Sequence, residues 1–173
     1  MHNLDLRFFH FWRRHSFSAK TDRFLRFYTR LGDGYVWVLV LVFLYLFYGK
    51  ETLLLAIEHV IPAILVSLAL YWVIKLSVRR RRPFELLESV AADVPPLDKF
   101  SFPSGHTMNN LAVGFTVFAD APGIGWIMIF MPLTWGLLRV YYGVHWLSDV
   151  IGGVCLGFLS FWLGQIIFSL FWQ

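Results

Sequence analysis

The sequence has few of the features on which water-soluble and disulfide-stabilised proteins depend. Only 15% of its 173 residues are Asp, Glu, Lys or Arg, whereas 58% are hydrophobic. An average globular domain is about a quarter charged. Cys155 is the single cysteine, which excludes an intramolecular disulfide framework. The chain also lacks internal repeats, low-complexity tracts and the small-residue cleavage site of a secretory signal peptide. We therefore expect most of its apolar surface to face lipid rather than water.

Five apolar runs approach the length of about 20 residues that a transmembrane helix needs. They cover residues 35–48, 52–74, 104–119, 124–138 and 146 to the C-terminus. Turns rich in glycine, proline or charge separate them, and the longest polar segment covers residues 75–102. The pattern predicts an all-α integral membrane protein, a bundle of about five transmembrane helices within a domain of residues 33–173.

Residues 1–32 are predicted not to span a membrane, because basic side chains interrupt their bulky apolar residues. Aromatic and basic residues at helical spacing predict an N-terminal amphipathic interfacial segment, with Ser18 or Thr21 as an N-cap. The net charge of +4 arises at the margins of apolar runs, so the predicted partner is the lipid bilayer and not nucleic acid. The arginines from Arg79 to Arg81 are interpreted as anchors to anionic headgroups.

Counting crossings places four helix ends on one face of the membrane. These are the end of the second apolar run, the start of the third, the end of the fourth and the start of the fifth. Eight residues suited to binding or chemistry fall at these ends although they are spread over half the chain: Lys75, Arg82, Ser104, Gly105, His106, Arg139, His145 and Asp149. The topology therefore predicts one site.

The residue types at this predicted site favour an anion. Lys75, Arg82 and Arg139 supply three positive charges, and guanidinium groups can bind phosphate oxygens bidentately. Ser104 and Gly105 are predicted at a helix N-terminus, where free N–H groups and the positive end of the helix dipole attract negative charge. The same donors could stabilise the charge that develops on phosphorus during its transfer. We expect these five residues to bind phosphate.

His145 and Asp149 are four residues apart, so on a helix both side chains would share one face. The carboxylate could hold one ring nitrogen and leave the other to attack phosphorus, which predicts His145 as a nucleophile. His106 is predicted to protonate the leaving oxygen. The same side chains could ligate iron or zinc. However, a divalent metal beside three cations would cost Coulomb energy, so no metal is expected.

Three motifs in this order resemble the signature of the type 2 phosphatidic acid phosphatase superfamily: Lys75-x6-Arg82-Pro83, Pro103-Ser104-Gly105-His106 and Arg139-x5-His145-x3-Asp149. The resemblance implies hydrolysis of a phosphate monoester or pyrophosphate on a lipid, with no cofactor and through a phosphohistidine at His145. Two features depart from the family. Leu138 stands where the family often has Ser, and the family core usually has six spans rather than five.

A transporter of phosphate or anionic lipid is the non-enzymatic alternative. It would need polar residues that continue through the membrane, whereas here they stop at one face. Two features of the sequence favour opposite sides of the membrane for the site. Of the 15 Lys and Arg residues only Lys50 is predicted on the opposite face, which favours a cytoplasmic site. The family resemblance favours the periplasmic face of the bacterial inner membrane, and that is our expectation.

The expected substrate is a phosphorylated membrane lipid. Residues 29–34 resemble the corresponding segment of bacterial lipid A 1-phosphatases, so lipid A 1-phosphate is the first candidate. Phosphatidylglycerol phosphate and undecaprenyl pyrophosphate are the alternatives, because the motifs recognise only the phosphate. The sequence predicts no oligomeric state.

Overall fold

The computed structural model describes residues 3–171, and every regular element in this range is helical. The helices are α1 (Asn3–Arg13), α2 (Ala19–Arg30), α3 (Tyr35–Val78), α4 (Pro83–Leu86), α5 (Gly105–Asp120), α6 (Pro122–Tyr141) and α7 (Leu147–Phe171), with a 3-10 turn at Leu31–Asp33. The all-α prediction is confirmed. The predicted domain extends to residues 172 and 173, which lie outside the described residues.

Three described helical segments are long and apolar enough to cross a membrane: Tyr35–Leu86, Pro122–Tyr141 and Leu147–Phe171. The first contains α3, which breaks at Gly49, where φ is 84° and ψ is 171°. Such a positive φ suits glycine. The break divides α3 into residues 35–48 (α3a) and 50–78 (α3b), so the turn predicted around Gly49 is a one-residue break. Whether the chain crosses five times stays a prediction.

Helix α5 packs against α3, α6 and α7 and has only 16 residues. Small residues let the neighbouring helices approach closely, as expected within lipid. A Cβ added to Gly114 would lie 2.4 Å from the Met128 carbonyl oxygen, and one on Gly157 would lie 2.8 Å from that of Met108. Gly157 thus lets α7 pack closely against α5.

An apolar core lies between α3, α5 and α6. Its buried residues are Val36, Val40, Leu44, Ala56, Val113, Val117, Ala121, Met128 and Trp135. The outer face of α3a is apolar as well, because Leu39, Leu46 and Phe47 are all exposed. Apolar side chains on both faces agree with a helix that faces lipid on one side and the bundle on the other.

The N-terminal helices pack onto the bundle. Helix α1 contacts α6 and α7, and its Phe9 is buried with its ring centroid 5.7 Å from that of Trp146. Ser18 caps α2 by accepting a hydrogen bond from the Thr21 backbone N–H at 3.2 Å, as predicted. The placement of α1 and α2 in the headgroup layer and the domain division after residue 32 remain predictions.

Candidate active site

Backbone hydrogen bonds join the three motif-bearing segments at one end of the bundle. The N–H of Ser104 donates to the carbonyl of Asp149 at 3.0 Å, which links the starts of α5 and α7. The N–H of Ser101 donates to the carbonyl of Arg80 at 2.8 Å, and that of Phe84 donates to Gly143 at 3.2 Å. The structure thus brings the predicted helix ends together.

Lys75 and Arg82 both contact one carboxylate, that of Asp98 in the loop before α5. Lys75 Nζ lies 2.7 Å and Arg82 Nη2 lies 2.9 Å from Asp98 Oδ1. The hydroxyl of Tyr71 also donates to Asp98. Burial alone would raise the pKa of Asp98, but the hydrogen bonds from Lys75 and Tyr71 lower it below its usual range. Asp98 is therefore an internal anion held by two predicted phosphate ligands.

Arg82 and Arg139 are both buried, with exposed fractions of 1% and 4%. Arg82 Nη1 donates to the Val144 carbonyl at 2.6 Å, and Arg139 Nη2 donates to the Pro95 carbonyl at 3.2 Å. Among residues 3–171, the Nε atoms of both arginines lack a hydrogen-bond partner. A buried donor left unpaired costs free energy, so these N–H groups favour an additional acceptor such as a phosphate oxygen.

His145 lies in the turn before α7, which begins at Leu147. The expectation that it shares a helix with Asp149 is wrong, because the helix begins two residues later. Its Nδ1 nevertheless lies 3.5 Å from Asp149 Oδ2, and its Nε2 lies 3.5 Å from Arg82 Nη1. Burial, and then the charges of Arg82 and Arg139, lower the pKa of His145 well below its usual range. The imidazole is therefore neutral near pH 7, which the predicted role of a nucleophile requires.

Arg80 fixes Asp149 from the other side. Its Nη1 lies 2.6 Å from Asp149 Oδ1 and its Nη2 lies 2.6 Å from Asp5 Oδ2. Asp5 also accepts from the N–H of Ser148 at 2.9 Å. The interpretation of Arg80 as a headgroup anchor is therefore wrong, because its guanidinium bridges two buried carboxylates within the protein.

His106 occupies the first turn of α5, which begins at Gly105 with Ser104 as the N-cap residue (φ −71°, ψ 112°). The predicted helix N-terminus is thus present. His106 Nε2 lies 2.9 Å from Oδ1 of Asp33 in the 3-10 turn. Asp33 is not among the site residues predicted from the sequence.

Two adjoining cavities differ in their lining. A cavity of about 290 Å³ is bordered by polar groups that include Asp33, Asp98 and His106. A second, of about 310 Å³, lies between α3a, α3b and α5 and has an apolar lining. Trp37 and Ile64 border both cavities. A partly polar cavity thus adjoins an apolar one.

The sequence profile of the PAP2 superfamily matches residues 56–172. The chain belongs to the PAP2 superfamily. It is 33% identical over 150 residues to an undecaprenyl-diphosphatase of Sulfolobus acidocaldarius, covering 86% of this chain and 71% of the relative. Phosphatidylglycerophosphatase B of Bacillus subtilis is 37% identical over 93 residues, 46% of each chain. The crystal structure of Aquifex aeolicus LpxE superposes with a TM-score of 0.77 and 28% identity over 95% of this chain and 96% of that one.

The PAP2 assignment confirms the predicted family and the predicted enzyme class, a membrane lipid phosphatase. The residues that sequence reasoning missed are all charged groups that hold a predicted site residue: Asp33, Arg80 and Asp98. Only Asp98 left a signal in the sequence, because three clustered cations need a counter-charge. Nothing in the PAP2 motifs pointed to the other two.

Proposed function

We propose that this PAP2 enzyme hydrolyses a lipid phosphate through a phosphohistidine at His145. The ring nitrogen Nε2 attacks phosphorus and forms an N–P bond while the bond to the lipid oxygen breaks. The leaving oxygen takes a proton from His106. Water then attacks phosphorus, the N–P bond breaks, and His106 accepts the proton from the water. Asp149 supports His145 from its Nδ1 side.

The phosphoryl oxygens are proposed to bind Lys75, Arg82 and Arg139 together with Ser104 and Gly105. The unpaired Nε groups of the two buried arginines are the observation that carries this proposal. A phosphate dianion would satisfy both donors and neutralise the charge they share, whereas a neutral ligand would not. The prediction that the reaction needs no metal or other cofactor belongs to this proposal.

The proposed substrate is a phosphorylated lipid of the envelope, with lipid A 1-phosphate as the first candidate on the resemblance of residues 29–34. The apolar cavity supports a lipid substrate, because a hydrocarbon chain would fit in it while the headgroup occupied the adjoining polar cavity. We place the enzyme in the bacterial inner membrane with its site on the periplasmic face.

Undecaprenyl pyrophosphate is the second candidate. The similarity to an undecaprenyl-diphosphatase extends over 86% of this chain, which favours a prenyl diphosphate over phosphatidylglycerol phosphate. Phosphatidylglycerol phosphate is the third lipid to test, because a shorter part of the chain is similar to phosphatidylglycerophosphatase B.

The experiment is phosphate release by detergent-purified protein from these three lipids and from phosphatidic acid, with excess chelator present. We expect release that resists the chelator, and His145→Ala and His106→Ala should each lower it by about 100-fold or more. The ranking of the lipids identifies the substrate class. Wild-type activity in a folded His145→Ala variant would refute the catalytic assignment, and binding or transport of phosphorylated lipid would become the better explanation.

A further inference from the structure

The 3-10 turn at Leu31–Asp33 is built directly onto His106. A Cβ added to Gly32 would lie 2.7 Å from Cδ2 of His106 and 2.8 Å from Cε3 of Trp135. Only glycine allows the backbone this close to the imidazole. The contact therefore fixes Gly32 against the imidazole ring, and with it the next residue, Asp33.

Asn110 connects the same turn to α5. Its Nδ2 donates to the Gly32 carbonyl at 3.0 Å and to the His106 carbonyl at 3.0 Å. Its Oδ1 accepts from Trp37 Nε1 at 3.0 Å. Asn110 therefore links the 3-10 turn to the first turn of α5 and to Trp37 of α3a.

Asp33 is placed by these contacts with Oδ1 2.9 Å from Nε2 of the buried His106. Burial would raise the pKa of Asp33, but its contact with His106 and the charge of Arg139 lower it below its usual range. The carboxylate is therefore ionised near pH 7 and can hold the ring in one orientation. Burial lowers the pKa of His106 from its usual value, and the contact with Asp33 opposes that shift.

We propose that Asp33 is a positioning residue for the proton donor: it fixes His106 through Nε2 and favours the imidazolium, whose Nδ1–H protonates the leaving oxygen. The inference rests on the proposed function of His106 and His145. In this proposal the site contains two His–Asp pairs: Asp149 lies beside the nucleophile His145, and Asp33 lies beside the acid His106. A carboxylate behind an imidazole sets its orientation and favours its protonated form.

The test separates proton donation from folding by changing the leaving group. Phosphatidic acid releases an alcohol and needs a proton, whereas p-nitrophenyl phosphate releases a stabilised phenolate that does not. Release of the leaving group in the first turnover is measured for the wild type, Asp33→Asn, Asp33→Glu and His106→Ala in detergent. Only the first turnover isolates N–P bond formation from the later attack of water.

We expect Asp33→Asn to slow first-turnover release from phosphatidic acid about 100-fold and from p-nitrophenyl phosphate less than about threefold. Asp33→Glu should recover most of the loss. His106→Ala should show the same substrate dependence, and adding Asp33→Asn to it should change little more.

Equal slowing of both substrates by Asp33→Asn, or no slowing, would overturn the positioning role, as would failure of Asp33→Glu to recover any rate. A His145→Ala variant that retains wild-type release would instead refute the proposed function itself. Asp120→Asn is the matched control, because it removes the carboxylate of another His–Asp pair, His59–Asp120, far from the site.

Discussion

Two His–Asp pairs lie near opposite ends of the bundle and differ in what surrounds them. His106 Nε2 lies 2.9 Å from Asp33 Oδ1, and His59 Nδ1 lies 2.7 Å from Asp120 Oδ1. Lys75 lies 16 positions after His59 on α3b, which corresponds to about 24 Å along a helix. The ring of His59 contacts Phe168, with centroids 4.0 Å apart, whereas His106 borders the polar cavity.

A His–Asp pair by itself does not define a site in this molecule. The pairing distances are similar, and both pairs join helices or turns that are distant in sequence. At the site end, His106 borders a polar cavity and experiences the charges of the buried Arg139 and Arg82. At the opposite end the pair cross-links α3 and α5 among apolar groups.

Replacement of Arg80 should have the largest effect on the site end. Arg80→Ala leaves Asp5 and Asp149, with exposed fractions of 1% and 0%, without their shared cation. Removing one partner from a buried ion pair costs about 3–5 kcal/mol. We expect a fall of that order in the free energy of unfolding and a loss of phosphatase activity of more than about tenfold, measured by denaturant unfolding and phosphate release.

Arg79→Ala is the matched control for this prediction. Arg79 is exposed and its Nε donates only to the nearby Leu76 carbonyl at 2.7 Å among the contacts described. Its replacement should change stability by less than about 1 kcal/mol. Equal losses in the two variants would mean that the bridge between the carboxylates does not distinguish Arg80 from its neighbour.

Replacement of Asp98 should have an intermediate effect, of opposite sign for stability and anion binding. Asp98→Asn removes the anion that Lys75 and Arg82 share, so the variant should unfold at a lower temperature in phosphate-free buffer. Inorganic phosphate should then inhibit it about tenfold more strongly and restore its stability, because it no longer competes with a carboxylate. Thermal unfolding with and without phosphate, and inhibition of lipid hydrolysis, measure both effects.

The effect of Asp98→Asn on stability should depend on pH. The pKa of Asp98 is lowered in the folded protein, so its ion pairs stabilise the fold above the carboxyl's usual pKa of about 4. This contribution is lost as pH falls through the lower folded value. The stability difference between wild type and Asp98→Asn should therefore shrink in acid. A difference that is constant with pH would show that the carboxylate acts without its charge.

Sequence reasoning reached the helices and the convergence of their ends because both depend on local pattern. Apolar run length predicts a helix whatever it packs against, and alternating crossings bring Lys75, Arg139 and His145 to one face. The sequence did not predict the side-chain partners of these residues. Arg80 reaches Asp5 across 75 positions, and the path of a loop decides whether a lone carboxylate meets His106 or Lys75.

Helix ends are a second source of error, because a shift of two residues moves a side chain from a helix into a turn. His145 precedes α7 for this reason, and Lys75, taken as the start of a loop, lies within α3. Both residues nevertheless lie beside their predicted neighbours. For His145 this follows because the backbone hydrogen bond from Ser104 to Asp149 holds the starts of α5 and α7 together. Motif spacing thus predicts proximity better than it predicts secondary structure.

Replacement of Asp120 should have the smallest effect, and it tests the comparison most directly. Asp120→Asn removes the charge behind His59 while it keeps an acceptor for the ring nitrogen, so the free energy of unfolding should fall by about 1 kcal/mol or less. First-turnover rates with both substrates should stay within about twofold of the wild type, because the altered pair lies about 20 Å from the phosphate ligands along α5. If Asp120→Asn instead slowed phosphatidic acid as selectively as Asp33→Asn, the loss would follow from disturbing any His–Asp pair on α5. The distinction between the two ends would then fail.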